Sequence, residues 1–222
     1  MKSIISRAIL VILLFTALPA FSEQYYGWGA GINNFTDNFP KDNYIRQQLS
    51  VNFIFSFYYF PDDFPLGVYA KISSGWASLS MEANNRESMK ARKSNVFENR
   101  IAAAPSFRMQ LGSKSLLPIS IGPTIIFSSE ETSEDAYVHA DAGSKTYRYQ
   151  SVSGGITGDI AFIIIPGSNF FIRPGLSFDY IFLRTEKGEM RMNYRTTHNS
   201  TFRGTPYYAF NTSFYFGLGR RF

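Results

Sequence analysis

The sequence predicts an all-β protein in which eight antiparallel strands close into an up-and-down barrel that crosses a membrane. Three observations lead to this prediction. Long stretches alternate apolar residues with polar or small ones at a period of two, as strands do. The connections between them alternate between short turns and long polar segments. Beyond the N-terminal segment, no apolar run is long enough for a membrane-spanning helix, and a chain that crosses lipid without helices must close its strands.

The N-terminal segment is predicted to be a cleaved signal peptide. Two basic residues precede an apolar run over residues 8–18, and Ala20 and Ser22 supply the small residues of a cleavage site. A run this short, with these flanks, is typical of a secretory signal and is too short for a spanning anchor, the alternative interpretation. We therefore expect residues 1–22 to be removed and residues 23–222 to form one barrel domain.

The second predicted strand, residues 44–60, shows the alternation most clearly. Its odd-numbered positions are almost all apolar or aromatic, whereas its even-numbered positions are mostly Ser, Asn, Gln and Tyr. One face therefore suits lipid and the other suits a crowded barrel interior. The same pattern gives eight strands in all, at residues 25–32, 44–60, 66–81, 96–111, 119–129, 147–165, 170–183 and 207–222.

Each remaining strand is justified by its own apolar face. In chain order these faces are marked by Trp28 and Ile32, Ile72 and Trp76, Ile101 and Phe107, Ile121 and Phe127, Ile156 and Ile160, Phe178 and Phe182, and Phe214 and Phe222. Three in-strand prolines interrupt the pattern, namely Pro105, Pro123 and Pro174. Because proline has no N–H group to give to a strand ladder, we expect these positions to mark bulges.

The connections between the predicted strands alternate in length. Three are short, at residues 61–65, 112–118 and 166–169, and four are long, at residues 33–43, 82–95, 130–146 and 184–206. Outer-membrane barrels have short turns on the periplasmic side and long loops outside the cell. We therefore expect both termini to be periplasmic and the long loops to be extracellular.

Composition excludes several classes of protein. The chain has no cysteine, which excludes a disulfide-held scaffold, and only two histidines, so that no metal or other cofactor is predicted. Aromatic residues make up 17 % of the chain, and charged residues make up only 18 %, below the usual quarter. The net charge of +5 is small and scattered, and no nucleic-acid partner is expected.

A soluble ligand-carrying barrel is the main alternative, because it too has period-two strands. Its polar face would meet bulk water and favour Lys and Glu. Here the polar face is mostly Ser, Gly, Thr, Asn and Ala, which suits a narrow interior. The apolar face is rich in Leu, Ile, Val and Phe with Trp or Tyr near strand ends, as in a lipid-facing band with aromatic girdles. This pattern favours the membrane barrel.

The last predicted strand ends on an aromatic residue and has a glycine at the sixth position from the end. This ending resembles the assembly signal of bacterial outer-membrane barrels, although Arg220 stands where an apolar residue is usual. The residues of the predicted signal are Phe214, Phe216, Gly217, Leu218 and Phe222. The whole chain resembles the small eight-stranded OmpA/OmpX-like group. That resemblance implies an outer-membrane location, and as partners the barrel-assembly machinery, periplasmic chaperones and outer-membrane lipid.

His198 and Ser200 invite a catalytic interpretation, because some outer-membrane lipid A deacylases combine His-x-Ser with a Glu in an eight-stranded barrel. No acidic residue follows Glu189 in this chain. A histidine base without an orienting carboxylate is poorly arranged for nucleophilic catalysis. We therefore expect a solvated loop histidine and no enzyme, and a lipid-modifying activity is the third and weakest functional alternative.

Charged residues at inward positions are the candidate functional site. Ionised groups in a narrow barrel must be paired, because burial of a lone charge is costly. The sequence predicts a mid-barrel cluster of Lys71, Arg108, Asp159, Arg173 and Asp179 that plugs the interior. The alternative is a narrow, basic pore for small anionic or apolar solutes, which would make the protein porin-like.

The long loops differ in charge. The second and fourth are basic, and the third is acidic. Such runs are usually solvated, but opposite charges on neighbouring loops can also form interaction surfaces. The sequence therefore favours a structural or surface-interaction role through extracellular loops, with an extracellular ligand that the sequence does not identify.

Overall fold

The computed structural model describes residues 22–39, 44–62, 64–84, 90–134, 145–167, 169–192, 195–203 and 208–222. Nearly all of them lie in antiparallel strands. No helix among the described residues is both long enough and apolar enough to span a membrane. The strands are β1 (Ser22–Phe39), β2 (Tyr44–Pro61), β3 (Leu66–Asn84), β4 (Lys90–Gly112), β5 (Ser115–Glu134), β6 (Lys145–Ala161), β7 (Ile163–Ile164), β8 (Phe170–Met192), β9 (Arg195–Arg203) and β10 (Tyr208–Arg221).

The strands close into a ring of eight, as predicted. Each strand from β1 to β5 pairs with the next one in the chain. β6 then pairs with β8, and β8 pairs with β10. The ring closes because β10 also pairs with β1, from Tyr25 opposite Arg221 to Asn38 opposite Tyr208. β6 and β7 continue one barrel strand that is interrupted at Phe162, and β9 extends the β8 side of the ring as a hairpin. A closed ring leaves no unpaired strand edge in contact with lipid.

Large apolar side chains cover the outside of the ring, as the period-two pattern predicts. On β2, Phe53 is 72 % exposed and Phe55 is 47 % exposed, whereas their neighbours Asn52 and Ser56 are buried in the interior. The same alternation continues around the barrel. An apolar surface of this extent is suited to lipid and not to water.

The strands are longer than predicted, and the segments predicted as long loops are largely strand. β3 extends to Asn84, and β4 already begins at Lys90. β8 extends to Met192, and its last part pairs with β9. These extensions lack the apolar alternation, and the sequence pattern therefore indicates loops. Two antiparallel strands joined by a turn can nevertheless continue their hydrogen-bonded ladder beyond the apolar band. His198 and Ser200 consequently lie on strand β9. The predicted signal peptide lies outside the described residues, except that Ser22 begins β1.

Pro105 and Pro123 lie in an interruption of the ladder and not at the bulges that were expected. Pro174 pairs with Phe216 in continuous register and stands opposite the break at Phe162, whose N–H donates to the Pro174 carbonyl at 2.9 Å. Between β4 and β5, no residues pair between the Ala102–Thr124 pair and the Ser106–Ser120 pair, and the register is the same on both sides. Pro105 and Pro123 both lie in this gap. Register shifts occur elsewhere in the barrel, for example between Gln48 and Val51 on β2. The proline positions lack an N–H donor but add no residue to the strand, so the ladder breaks without shifting.

Candidate functional site in the barrel interior

Among the residues whose side chains the structure describes, the inward ones are mostly buried in the interior of the ring. One end carries the short turns near residues 61–65, 113–114 and 165–169 and is called the short-turn end; the opposite end carries the long hairpins and is called the hairpin end. Toward the short-turn end lies a layer of buried aromatic and aliphatic residues that includes Tyr25, Phe60, Tyr69 and Phe171. Buried charged residues lie next to this layer on its hairpin side.

Asp159 is at the centre of the first charged group. Its Oδ1 accepts hydrogen bonds from the hydroxyl groups of Tyr58, at 3.0 Å, and Tyr215, at 2.8 Å. Its Oδ2 lies 3.5 Å from Nζ of Lys71, which also donates to Ser177 at 2.9 Å. These side chains come from five strands, and all are buried. A carboxylate can remain in the interior when, as here, both of its oxygens have a donor.

Arg173 joins this group through aromatic residues. The side chain is fully buried, and the guanidinium group lies 4.8 Å from the ring centre of Tyr215 and 5.7 Å from that of Tyr58. Its Nη1 donates to the Tyr58 hydroxyl at 3.4 Å. No described carboxylate lies within salt-bridge distance of Arg173. The buried cation is therefore stabilised by ring faces and a shared hydroxyl group, and its link to Asp159 is indirect.

Asp179 belongs to a second group centred on Arg100. Nη1 of Arg100 lies 2.7 Å from Oδ2 of Asp179, which also accepts from the amide of Asn211 at 2.6 Å. Arg100 is 3.8 Å from Glu98 as well. Arg100 was not among the residues predicted for the cluster. Its inward parity on β4 was the available signal, but parity does not give depth.

Arg108 lies elsewhere, which corrects the predicted cluster. It is at the short-turn end, where Glu23 contacts both Arg108 and Arg221 at 2.5 Å and the guanidinium of Arg108 lies over the ring of Phe60. The residue of β4 that pairs with Lys71 is Ala102, six positions before Arg108. At about 3.3 Å per residue this separates the two cations by about 20 Å along the strand, too far for a shared partner.

Two glycines make room for the aromatic rings of the site. A Cβ atom at Gly175 would lie 2.2 Å from the ring of Tyr215, and one at Gly219 would lie 2.2 Å from the ring of Phe171. No side chain can therefore replace either hydrogen without moving the ring. The bare backbone at Gly175 gives the Tyr215 ring room to pass close to β8 and extend its hydroxyl to Asp159.

Residues of the predicted assembly signal lie on β10 and at its end. Phe214, Phe216, Leu218 and Phe222 point outward, with Phe214 being 65 % exposed, and Gly217 points inward.

Among the described residues, no group of three or more His, Asp or Glu side chains could hold a metal ion. The groups around Asp159 and Asp179 are held together by hydrogen bonds and ion pairs, and they form a fixed arrangement of charges across the ring.

No family model matches the chain, and no curated protein matches its sequence. Solved structures do match its fold. A major outer membrane protein from Thermus thermophilus superposes with a TM-score of 0.58 at 14 % identity, over 90 % of this chain and 99 % of that one. Neisserial surface protein A gives 0.49 at 10 % identity, over 90 % and 97 %, and the attachment invasion locus protein Ail of Yersinia pestis gives 0.48 at 11 % identity, over 90 % and 99 %. The similarity to the Thermus protein shows that this chain has the fold of an outer-membrane β-barrel.

Proposed function

We propose that this chain is a structural or surface-interaction protein of a bacterial outer membrane, with a closed barrel that displays long hairpins. One observation carries the proposal: the charged groups of Asp159 and Asp179 cross the interior while buried almost completely. Asp159 and Arg173 are 0 % exposed, and Lys71 and Asp179 are 2 % exposed. An interior that contained a continuous water-filled path would leave such groups accessible to solvent.

The size of the ring supports a closed interior. Eight-stranded barrels leave space inside that side chains alone can fill. Here the aromatic layer lies next to the charged groups on their short-turn side. Within that layer, the ring centres of Tyr58 and Tyr69 are 4.7 Å apart. An ion that crossed the barrel would have to break buried ion pairs and move aromatic rings. Both steps are costly in a low-dielectric interior.

The apolar outer surface supports a location in the outer membrane, since an open sheet or a bundle of short strands could not cross lipid. In this proposal the short-turn end and both termini face the periplasm, and the hairpins reach outside the cell. The outward aromatic residues of β10 are the segment by which the barrel-assembly machinery would recognise the chain after delivery by periplasmic chaperones. The hairpins are the surface available to an extracellular ligand.

A narrow pore is the second candidate. Buried polar atoms without a hydrogen-bond partner line the interior, including those of Asn33, Gln48 and Ser56. Such atoms are usually satisfied by water, and a chain of water molecules would favour conduction. The structure gives no comparable observation in favour of a lipid-modifying enzyme.

Conductance in planar lipid bilayers tests the proposal. The wild-type protein should be nearly silent, because the Asp159 and Asp179 groups block the interior. The Asp159→Ala variant should conduct measurably, because it releases Lys71 and the two tyrosine hydroxyls. Ser153→Ala is the matched control, since Ser153 is also inward and buried on β6 but lies outside the charged groups. Steady, resolved conductance of the wild-type barrel would overturn the closed-barrel proposal in favour of the pore.

A further inference from the structure

A groove with a volume of about 420 Å³ lies on the outside of the barrel, across β4, β5, β6 and β8. Most of the side chains that line it belong to the outward face. The register arranges them in two rows that run across the strands. The row nearer the hairpin end is Phe97, Ser129, Gln150 and Lys187, and the row nearer the short-turn end is Asn99, Phe127, Val152 and Thr185. Directly paired residues of neighbouring strands have Cβ atoms about 4.5–5.5 Å apart, so each row is continuous.

The groove lies where the apolar outer surface gives way to a polar one. On its short-turn side are Ile101, Ile125 and Ile156, which are all exposed on the outward face. On its hairpin side, Glu131 and Arg148 form an exposed ion pair at 2.9 Å. A barrel in a bilayer has its lipid headgroups at the height of this transition. The groove therefore spans the boundary between acyl chains and headgroups.

Lys187 supplies a cation at the polar side of the groove. It is exposed and makes no ion pair with any residue that the structure describes. The neighbouring Glu186 contacts Arg184 at 2.6 Å, and Arg148 is occupied by Glu131. Among the side chains that the structure describes, the ammonium group of Lys187 is thus a positive charge available next to the apolar part of the groove.

Asn99 supplies a hydrogen-bond donor within the apolar part. It lies on the outward face between Phe97 and Ile101, where the neighbouring side chains are suited to lipid. Its side-chain oxygen accepts from the hydroxyl of Ser74 at 2.7 Å, which fixes the oxygen and leaves the amide N–H groups to donate. A polar group in such a place is costly unless it has a partner, and it commonly marks a binding function.

We propose that this groove binds one phosphate-bearing membrane lipid. An acyl chain packs against Phe127 and Val152, the Asn99 amide donates to an ester carbonyl of the lipid, and Lys187 pairs with the phosphate. From the short-turn side to the hairpin side, the outward face presents the isoleucines, then the row of Asn99 and then the row of Lys187, which is the order of acyl chain, ester and phosphate in such a lipid. Asn99 and Lys187 lie on the two outer strands of the groove, three strand spacings or about 14 Å apart, so their side chains reach toward the lipid from opposite sides. This inference rests on the proposed function only in requiring that the barrel be embedded in a membrane.

Native mass spectrometry of the folded barrel in detergent tests the site, with phosphatidylglycerol and the corresponding diacylglycerol as the two probes. The wild type should retain one phosphatidylglycerol and bind diacylglycerol more weakly. Lys187→Gln should weaken phosphatidylglycerol binding by about fivefold, the effect of one basic residue at a lipid surface, and should leave diacylglycerol binding unchanged. Lys114→Gln is the matched control, because Lys114 is an exposed lysine in a turn at the short-turn end.

Val152→Trp provides a second variant that keeps the cation. The larger side chain should fill the apolar part of the groove and abolish retention of both lipids. Folding of each variant is checked by heat-modifiable migration on gels. Equal retention of the two probes by the wild type, or equal effects of Lys187→Gln and Lys114→Gln, would refute the lipid site, as would a dimer that forms without lipid through this face.

Conductance of the same preparations separates this inference from the proposed function. A silent barrel that retains no lipid would refute the groove alone. A conducting barrel that retains one phosphatidylglycerol would refute the closed interior alone.

Discussion

The hydroxyl group of Tyr58 donates to Asp159 at 3.0 Å and accepts from Arg173 at 3.4 Å, so one side chain links the buried anion to the buried cation. A hydroxyl can do this because it has one proton to give and lone pairs to accept. Tyr215 also donates to Asp159 and lies under the Arg173 guanidinium, but no hydrogen bond from Arg173 to its hydroxyl is present. The two tyrosines are therefore not equivalent.

This difference predicts unequal effects of removing the two hydroxyls. Tyr58→Phe should lower the free energy of unfolding by about 1–3 kcal/mol, because it removes the acceptor for Nη1 of Arg173 and one of the donors to Asp159 Oδ1. Tyr215→Phe should cost less, since Asp159 keeps two donors and Arg173 keeps its hydrogen bond. Urea unfolding in lipid vesicles, followed by tryptophan fluorescence, measures both. Equal losses, or a larger loss for Tyr215→Phe, would contradict the linking role of Tyr58.

Substitutions at adjacent residues on opposite faces of β10 should change the stability of the barrel by different amounts. Phe214 is on the outside of the ring and Ser213 is buried inside. Phe214→Arg should destabilise the barrel by about 2–4 kcal/mol if it lies near the bilayer midplane. Ser213→Thr should change the stability much less, because the interior already holds polar groups. The check is the unfolding free energy in vesicles, and similar values for the two variants would mean that the faces are misassigned.

The ladder between β4 and β5 should exchange hydrogen unevenly. Ala103 and Ala104 have no paired residue on β5 but remain paired with Ala70 and Tyr69 of β3. The carbonyl of Ala103 is directed at Gly122 of β5, so the Ala103 amide faces the gap and the Ala104 amide faces β3. Hydrogen exchange is fastest where backbone hydrogen bonds are missing. We expect Ala103 to exchange faster than Ile101, which faces β5 where the ladder is intact, whereas Ala104 should stay protected by β3, as measured by NMR in detergent micelles. Pro123→Ala, which returns an N–H group to the gap, should slow this exchange; uniform protection along β4 in the wild type would show that the gap is closed in solution.

Surface labelling tests the orientation of the barrel. The chain has no cysteine, so a single introduced thiol reports one position. A cysteine in place of Lys90, at the start of β4 on the hairpin end, should react with an impermeant thiol reagent on whole cells. A cysteine in place of Asp62, which is exposed in a short turn, should react only after the outer membrane is opened. The reverse pattern of labelling would invert the proposed topology.

The sequence by itself determined which residues face outward and which face inward. Successive side chains of a strand point to opposite faces, so the alternation of Phe53 and Phe55 with Asn52 and Ser56 already separates lipid from interior. The repeated pattern also determined the number of barrel strands and hence the closed ring, because lipid leaves no alternative for the strand edges. The face to which a side chain points is a local property of the backbone, and the sequence of a single strand is enough to reveal it.

Which inward residues meet depends on the closed ring and could not be predicted from single strands. Depth in a barrel depends on strand tilt and on the register of every pair, and single-residue shifts such as the one between Ala77 and Leu79 accumulate around the ring. Arg100 and Arg108 have the same parity on β4, yet Arg100 contacts Asp179 and Arg108 contacts Glu23. The pattern of one strand contains no information about its displacement along the next, and that displacement chooses the partner of each buried charge.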